Sequence, residues 1–71
     1  MSIEKHLKIT GSSEVSWKDA IIKTIDDVSK TIANISSITV LEQTAKINEN
    51  KITEYFVCLD LKFVVDNQKR S

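Results

Sequence analysis

Few side chains in this sequence are of a type that does covalent or metal chemistry, and their spacing is poor for it. His6 is the one histidine and Cys58 the one cysteine. Together they make neither an internal disulfide nor the four-ligand set of a structural zinc site. His6 sits between Lys5 and Leu7 in an alternating segment with no second imidazole or thiol to work beside, which reads as a surface or interface histidine. Cys58 lies between Val57 and Leu59, where a free thiol behaves as a small hydrophobe. Glu14, Asp19, Asp26 and Asp27 could suggest divalent-ion ligands, but carboxylates scattered along a helix serve solvation and helical pairing. Gly11 is the one glycine, so there is no glycine-rich phosphate loop. No catalytic residue and no metal ligand is expected, and the chain is read as a non-enzyme.

The whole-chain arithmetic points the same way. The chain has 71 residues, with ten Lys and Arg balanced by ten Asp and Glu for a formal net charge of zero. The field that draws a protein to nucleic acid or to an anionic membrane is missing, so neither partner is expected. Hydrophobic residues at 41% and charged residues at 28% fit one folded domain over residues 1–71, with a frayed polar tail over about 66–71. Neither a signal-peptide run nor a span of about 18 apolar residues is present, so a cytoplasmic location is expected. A chain this short buries only about 60% of its unfolded surface and is marginal alone. With disulfide and zinc excluded, self-association is the remaining source of stability.

The elements follow from periodicity. Ile3, Lys5, Leu7 and Ile9 alternate with Glu4, His6, Lys8 and Thr10, predicting a half-buried strand that Gly11-Ser12-Ser13 ends. Ser16 before Trp17, with Asp19 three residues on, is a shortened capping box and starts a helix about Trp17. Ile21, Ile25, Val28 and Ile32, widened by Trp17, Ala20 and Thr24, form its buried stripe. Asp19 with Lys23 and Asp26 with Lys30 are pairs on its solvated side, and the helix is expected to end near Asn34. A second strand is read over 38–47 and a third over 52–65, joined by the polar turn Asn48-Glu49-Asn50-Lys51 as an antiparallel hairpin. Tyr55, Val57, Leu59, Leu61, Phe63 and Val65 give the third strand an unbroken apolar face for the helix, which makes it the central strand. Its other face, Glu54, Phe56, Cys58, Asp60, Lys62 and Val64, is mixed and reads as an interface or a cavity wall. The third strand outruns the helix, so the sheet must curl around it or pass beyond it. The fold class is α+β: a single small β-α-β-β domain with a three-stranded antiparallel sheet around one helix.

These residues resemble the dodecin family of small flavin-binding proteins over almost the whole chain. The resemblance is carried by Gly11-Ser12-Ser13 and Ser16, then Ala20-Ile21, then Ser29-Lys30-Thr31 and Asn34, then Val40, Glu42, Ile47, Lys51, Tyr55, Val57 and Phe63, at the family's spacing. It implies twelve copies in a hollow shell, a homododecamer, with flavin (riboflavin or FMN) held between subunits. In the family the flavin stacks on a Trp just after the helix and is bonded at the ring edge by a Gln on the last strand. Those positions fall here on Ser37 and Phe56, and the family's Arg-Gly pair falls on Thr44-Ala45. Ser has no π-face and Phe no hydrogen-bonding group, so the family's flavin sandwich cannot be built from them. Trp17 stands at the helix start and does not match the stacking Trp.

Two functions follow. The first is a dodecin-like homo-oligomer that stores or buffers a flavin or a similar flat cofactor, with Ser37, Phe56 and Thr44 at the pocket positions. The second is a structural or interaction assembly that keeps the shell and has lost the flavin.

Overall fold

The computed structural model describes residues 2–66, and the expected frayed tail over 67–71 lies outside them. Four elements follow in the order β1 (Ser2–Ser13), α1 (Trp17–Val28), β2 (Ile35–Asn48) and β3 (Lys51–Asp66). The sheet is antiparallel with order β1-β3-β2, so the third strand is central as its apolar face requires. Val57, Leu59 and Leu61 from that face are buried, and Ala20 of α1 is buried against Val57 and Leu59. Ile9, Trp17, Ile21 and Ile38 close around this cluster.

Several boundaries differ from the sequence reading. β1 runs through Gly11-Ser12-Ser13 instead of ending there, because Gly11 is a contact point and not a breaker. A Cβ on Gly11 would fall 1.8 Å from Thr24 Oγ1, so the missing side chain is what lets α1 cross β1 this closely. The helix ends at Val28 rather than near Asn34. Ser29 caps it, and the hydroxyls of Ser29 and Thr31 bond back to the carbonyls of Asp26 and Val28, drawing the chain into a tight turn. That turn leaves Lys30 beside Asp27 at 3.8 Å and not beside Asp26, while the Asp19–Lys23 pair forms as expected at 3.1 Å. β2 accordingly starts at Ile35, three residues before the expected position. Asp66, assigned by sequence to the tail, pairs with Ser2 at the end of β3. In the hairpin Asn48 and Lys51 are paired, which leaves a two-residue turn of Glu49 and Asn50, both at positive φ. Positive φ at both central positions is the type I′ pattern that matches strand twist.

The sheet outruns the helix, as the length of the third strand requires. The described chain measures 59 × 19 × 12 Å, and its radius of gyration of 15.2 Å exceeds the roughly 11 Å of a compact chain this long. The helix packs on β1 and β3, leaving much of β2 beyond its cover. Val40, Leu41 and Ile47 of β2 are exposed in consequence, as is Ile52 of β3, which pairs with Ile47.

Candidate functional site

Opposed residues in an antiparallel sheet share a face, so the register defines what the outer, helix-free face presents. Four rows cross it: Ser12–Phe56–Thr44, Thr10–Cys58–Glu42, Lys8–Asp60–Thr39 and His6–Lys62–Ser37. Of the three pocket positions, Phe56 and Thr44 are direct cross-strand partners. Phe56 is half-buried on the central strand, and the exposed hydroxyl residues Ser12 and Thr44 flank it. Ser37 is exposed and pairs with Lys62, six positions further along β3, which sets it about 20 Å from Phe56 at ~3.3 Å per residue. One chain therefore brings Phe56 and Thr44 together and leaves Ser37 apart.

A bulge at Leu41 restores this alignment. Val40 lies opposite Leu59 and Glu42 opposite Cys58, so Leu41 is the extra residue and Thr44 falls on the outer face with Phe56. Thr44 is further fixed through its backbone, where its carbonyl accepts a 2.9 Å hydrogen bond from Trp17 Nε1. Trp17 itself lies on the opposite, helix face, edge-on to Tyr55 with ring centroids 4.9 Å apart. It supports Thr44 from behind.

Two polar clusters flank this face and the helix start; the sequence marked Ser16, Asp19 and Lys23 of the second, but neither the cross-strand pairs of the first nor the part played by Ser13. On the outer face His6 Nδ1 lies 2.7 Å from Asp60 Oδ2, and Lys62 Nζ lies 3.8 Å from Glu4 Oε2. Both pairs join β1 to β3 across the sheet, and the period-two pattern places all four residues on the mixed face once the register is known. Among the described residues no group of three or more His, Cys, Asp or Glu side chains could hold a metal ion. The second cluster caps α1. Ser16 accepts from the Asp19 backbone N–H at 2.9 Å, while the buried Ser13 hydroxyl donates to Asp19 Oδ2 at 2.6 Å and accepts from the Val15 N–H at 2.9 Å. The Ser13 hydrogen bond, followed by Lys23, holds the Asp19 carboxyl below its ordinary range.

At the positions that the resemblance implies for a flavin, the residues present would supply neither a stacking ring at Ser37 nor a ring-edge hydrogen bond at Phe56. Ser37 is exposed and carries a hydroxyl, and Phe56 is half-buried and carries a ring without a hydrogen-bonding group. What the face provides is one aromatic surface bordered by hydroxyls. No helix is long and apolar enough to cross a membrane among the described residues.

Comparison with known proteins accounts for the fold. The family model described as Dodecin matches residues 3–66. The dodecin from Streptomyces davaonensis is similar at 25% identity and a TM-score of 0.85, covering 92% of this chain and 96% of its own. A point mutant of the Thermus thermophilus dodecin is similar at 26% identity and a TM-score of 0.87, covering 93% of this chain and 98% of its own. At 23% identity, the calcium dodecin of Mycobacterium tuberculosis, described as a calcium-chelating immunodominant antigen with a novel calcium-binding site, shares the fold with a TM-score of 0.78 over 97% of this chain and 99% of its own. No curated protein sequence matches. Since the family model runs through all four elements and solved dodecins share their order and extent, this chain belongs to the dodecin family.

Proposed function

We propose that this dodecin is a self-assembling, non-enzymatic binding protein that holds a flat ring cofactor between copies of itself, with flavin (riboflavin or FMN) as the class its family implies. The observation that carries this reading is the placement of Phe56. An aromatic ring stands on the open face of the central strand, flanked in register by Ser12 and Thr44, where a planar ligand finds a stacking surface with hydroxyls at its margin. Ser37 is too far along the same chain to join it, so a pocket using all three positions is completed by a second copy. The elongated chain and the exposed Val40, Leu41, Ile47 and Ile52 support assembly, here proposed as twelve copies in the cytoplasm, with neither nucleic acid nor membrane as a partner.

A second reading is favoured by the same ring. If Phe56 is covered by neighbouring copies, the shell is filled by protein and serves as a structural or interaction assembly without flavin. Sedimentation velocity with added flavin, followed at protein and flavin wavelengths, separates the two. A boundary near about 96 kDa, twelve chains of 8.0 kDa, that carries flavin supports cofactor binding. The same boundary without flavin favours the structural assembly.

A further inference from the structure

α1 stops short of the apolar face it packs on. Its first residue, Trp17, meets Tyr55, and twelve helical residues reach only about 18 Å at 1.5 Å each, which carries the helix roughly as far as Leu61 along β3. Phe63 and Val65 continue the apolar face beyond that point and are half-buried, whereas Val57, Leu59 and Leu61 are buried. The chain from Thr31 to Asn34 passes beside them on its way to β2, and between the two lies a cleft of about 390 Å³. Backbone bonds fix its wall: the Ile32 N–H donates to the Val28 carbonyl at 2.9 Å, and the Val64 N–H donates to the Asn34 carbonyl at 3.3 Å. A pre-formed cleft of this size falls in the range of about 300–1,000 Å³ that small-molecule sites occupy.

The lining sets the chemistry of the occupant. Ile32, Phe63 and Val65 supply apolar surface, one of them aromatic, while Thr31 and Asn34 supply a hydroxyl and a carboxamide. Among the described residues no charged side chain lines the cleft. A charged ligand would lose its water with no counter-charge in return. An aliphatic ligand would cover the Asn34 carboxamide and leave it without a partner. A carboxamide presents a donor beside an acceptor, and its complement is a ring N–H next to a carbonyl. The Thr31 hydroxyl already donates to the Val28 carbonyl at 3.2 Å, so it meets a ligand as an acceptor. We propose that this cleft binds a flat, uncharged heterocycle with a cyclic imide edge, the edge of a pyrimidine base, packed on Phe63 and paired through Asn34. The site goes beyond the reading above, because Phe56 stands on the opposite, helix-free face of the sheet. A flavin ring carries the same imide edge on a wider frame, and the test separates the two sources.

Equilibrium dialysis of the wild-type protein against uridine probes the site. Uridine should be retained. 3-Methyluridine, in which a methyl replaces the imide proton, should bind about tenfold more weakly, the loss expected when a covered hydrogen-bonding group is left unpaired. Asn34→Leu keeps the bulk of the side chain and removes the carboxamide, so it should weaken uridine to a similar degree and erase the discrimination between the two nucleosides, with circular dichroism confirming that the variant is folded. Excess riboflavin identifies the source: displacement of uridine shows that the flavin ring takes this cleft, and retention of both together shows a cleft for the single-ring base beside a separate flavin site. Either result leaves the cleft occupied as proposed. No retention of uridine, equal retention of the two nucleosides by the wild type, or an Asn34→Leu chain that still tells them apart overturns the site. Any of these with riboflavin retained leaves the flavin reading standing. Uridine retained while riboflavin passes freely overturns the flavin reading and leaves the cleft.

Discussion

The indole Nε1 of Trp17 donates to the backbone carbonyl of Thr44 at 2.9 Å, fastening the first turn of α1 to β2 across 27 residues of sequence. β2 is held to the domain by its pairing with β3, and because helix and β2 otherwise share little contact, this bond is what ties β2 to the helix directly. Trp17→Phe keeps an aromatic ring and removes the donor. It should lower stability by about 1 kcal/mol, the usual net worth of one hydrogen bond. Urea unfolding followed by circular dichroism at fixed protein concentration measures it, and an unchanged midpoint would show that the bond contributes nothing.

Asp19 supplies a pH dependence of defined sign. Its carboxyl is held below the ordinary value by the Ser13 hydroxyl and Lys23, so the folded state favours the ionised form. The contribution is fully present above the unfolded-state pKa and is lost as pH falls through the folded one. Stability should therefore decline in the acid range, and Ser13→Ala should reduce that decline while lowering stability near neutrality. Chemical unfolding across pH 2 to 7, roughly the acid limb described by linkage, checks the direction. A decline as steep in Ser13→Ala as in the wild type would assign it to other carboxylates.

Gly11→Ala should be costly for the space it occupies. The new methyl would meet Thr24 Oγ1, which is already committed to the Ala20 carbonyl at 2.7 Å, and Thr24 Cβ at 3.0 Å. Overpacking of this kind typically costs about 1–3 kcal/mol. Thr24→Ala removes the hydroxyl and should recover part of the loss, so a double-mutant cycle should show coupling between the two positions. Additive effects would mean that helix and strand separate freely at this crossing.

Ser37→Trp combined with Phe56→Gln should raise flavin affinity. The first change supplies a π-face and the second a group that bonds the ring edge, which are the two features the present residues lack. Flavin fluorescence titration, with sedimentation confirming intact assembly, reads the effect. An unchanged affinity in an intact assembly would show that the pocket differs in backbone shape as well as in side chains.

How far the sequence was legible depended on whether the physics was local. The alternation in β3 was strong enough to place Val57, Leu59 and Leu61 in the core and to make their strand central. Ser16 marked the helix start because an N-cap acts within three residues. The helix end was hidden because the apolar spacing continues to Ile32, while the stop comes from Ser29 and Thr31 hydroxyls turning back on the helix, with neither glycine nor proline to signal it. Gly11 read as a breaker because its true neighbour, Thr24, is distant in sequence. The Leu41 bulge, which decides that Thr44 shares a face with Phe56, left no mark in composition. The separation of Ser37 from Phe56 became measurable only with the register, because it depends on where each lies along a partner strand.

The pairing of Ser2 with Asp66 also governs the order in which the chain can fold. The β2–β3 hairpin closes over a two-residue turn, so its contacts form between near neighbours and at little entropic expense. β1 has no partner until nearly the whole sequence has emerged and its far end has returned. Its docking closes the longest loop in the molecule and should come late, with the hairpin and helix as the template. Until then the first strand is an unpaired, half-apolar segment, and the slowest step in reaching the native state is also the one most open to capture by another chain.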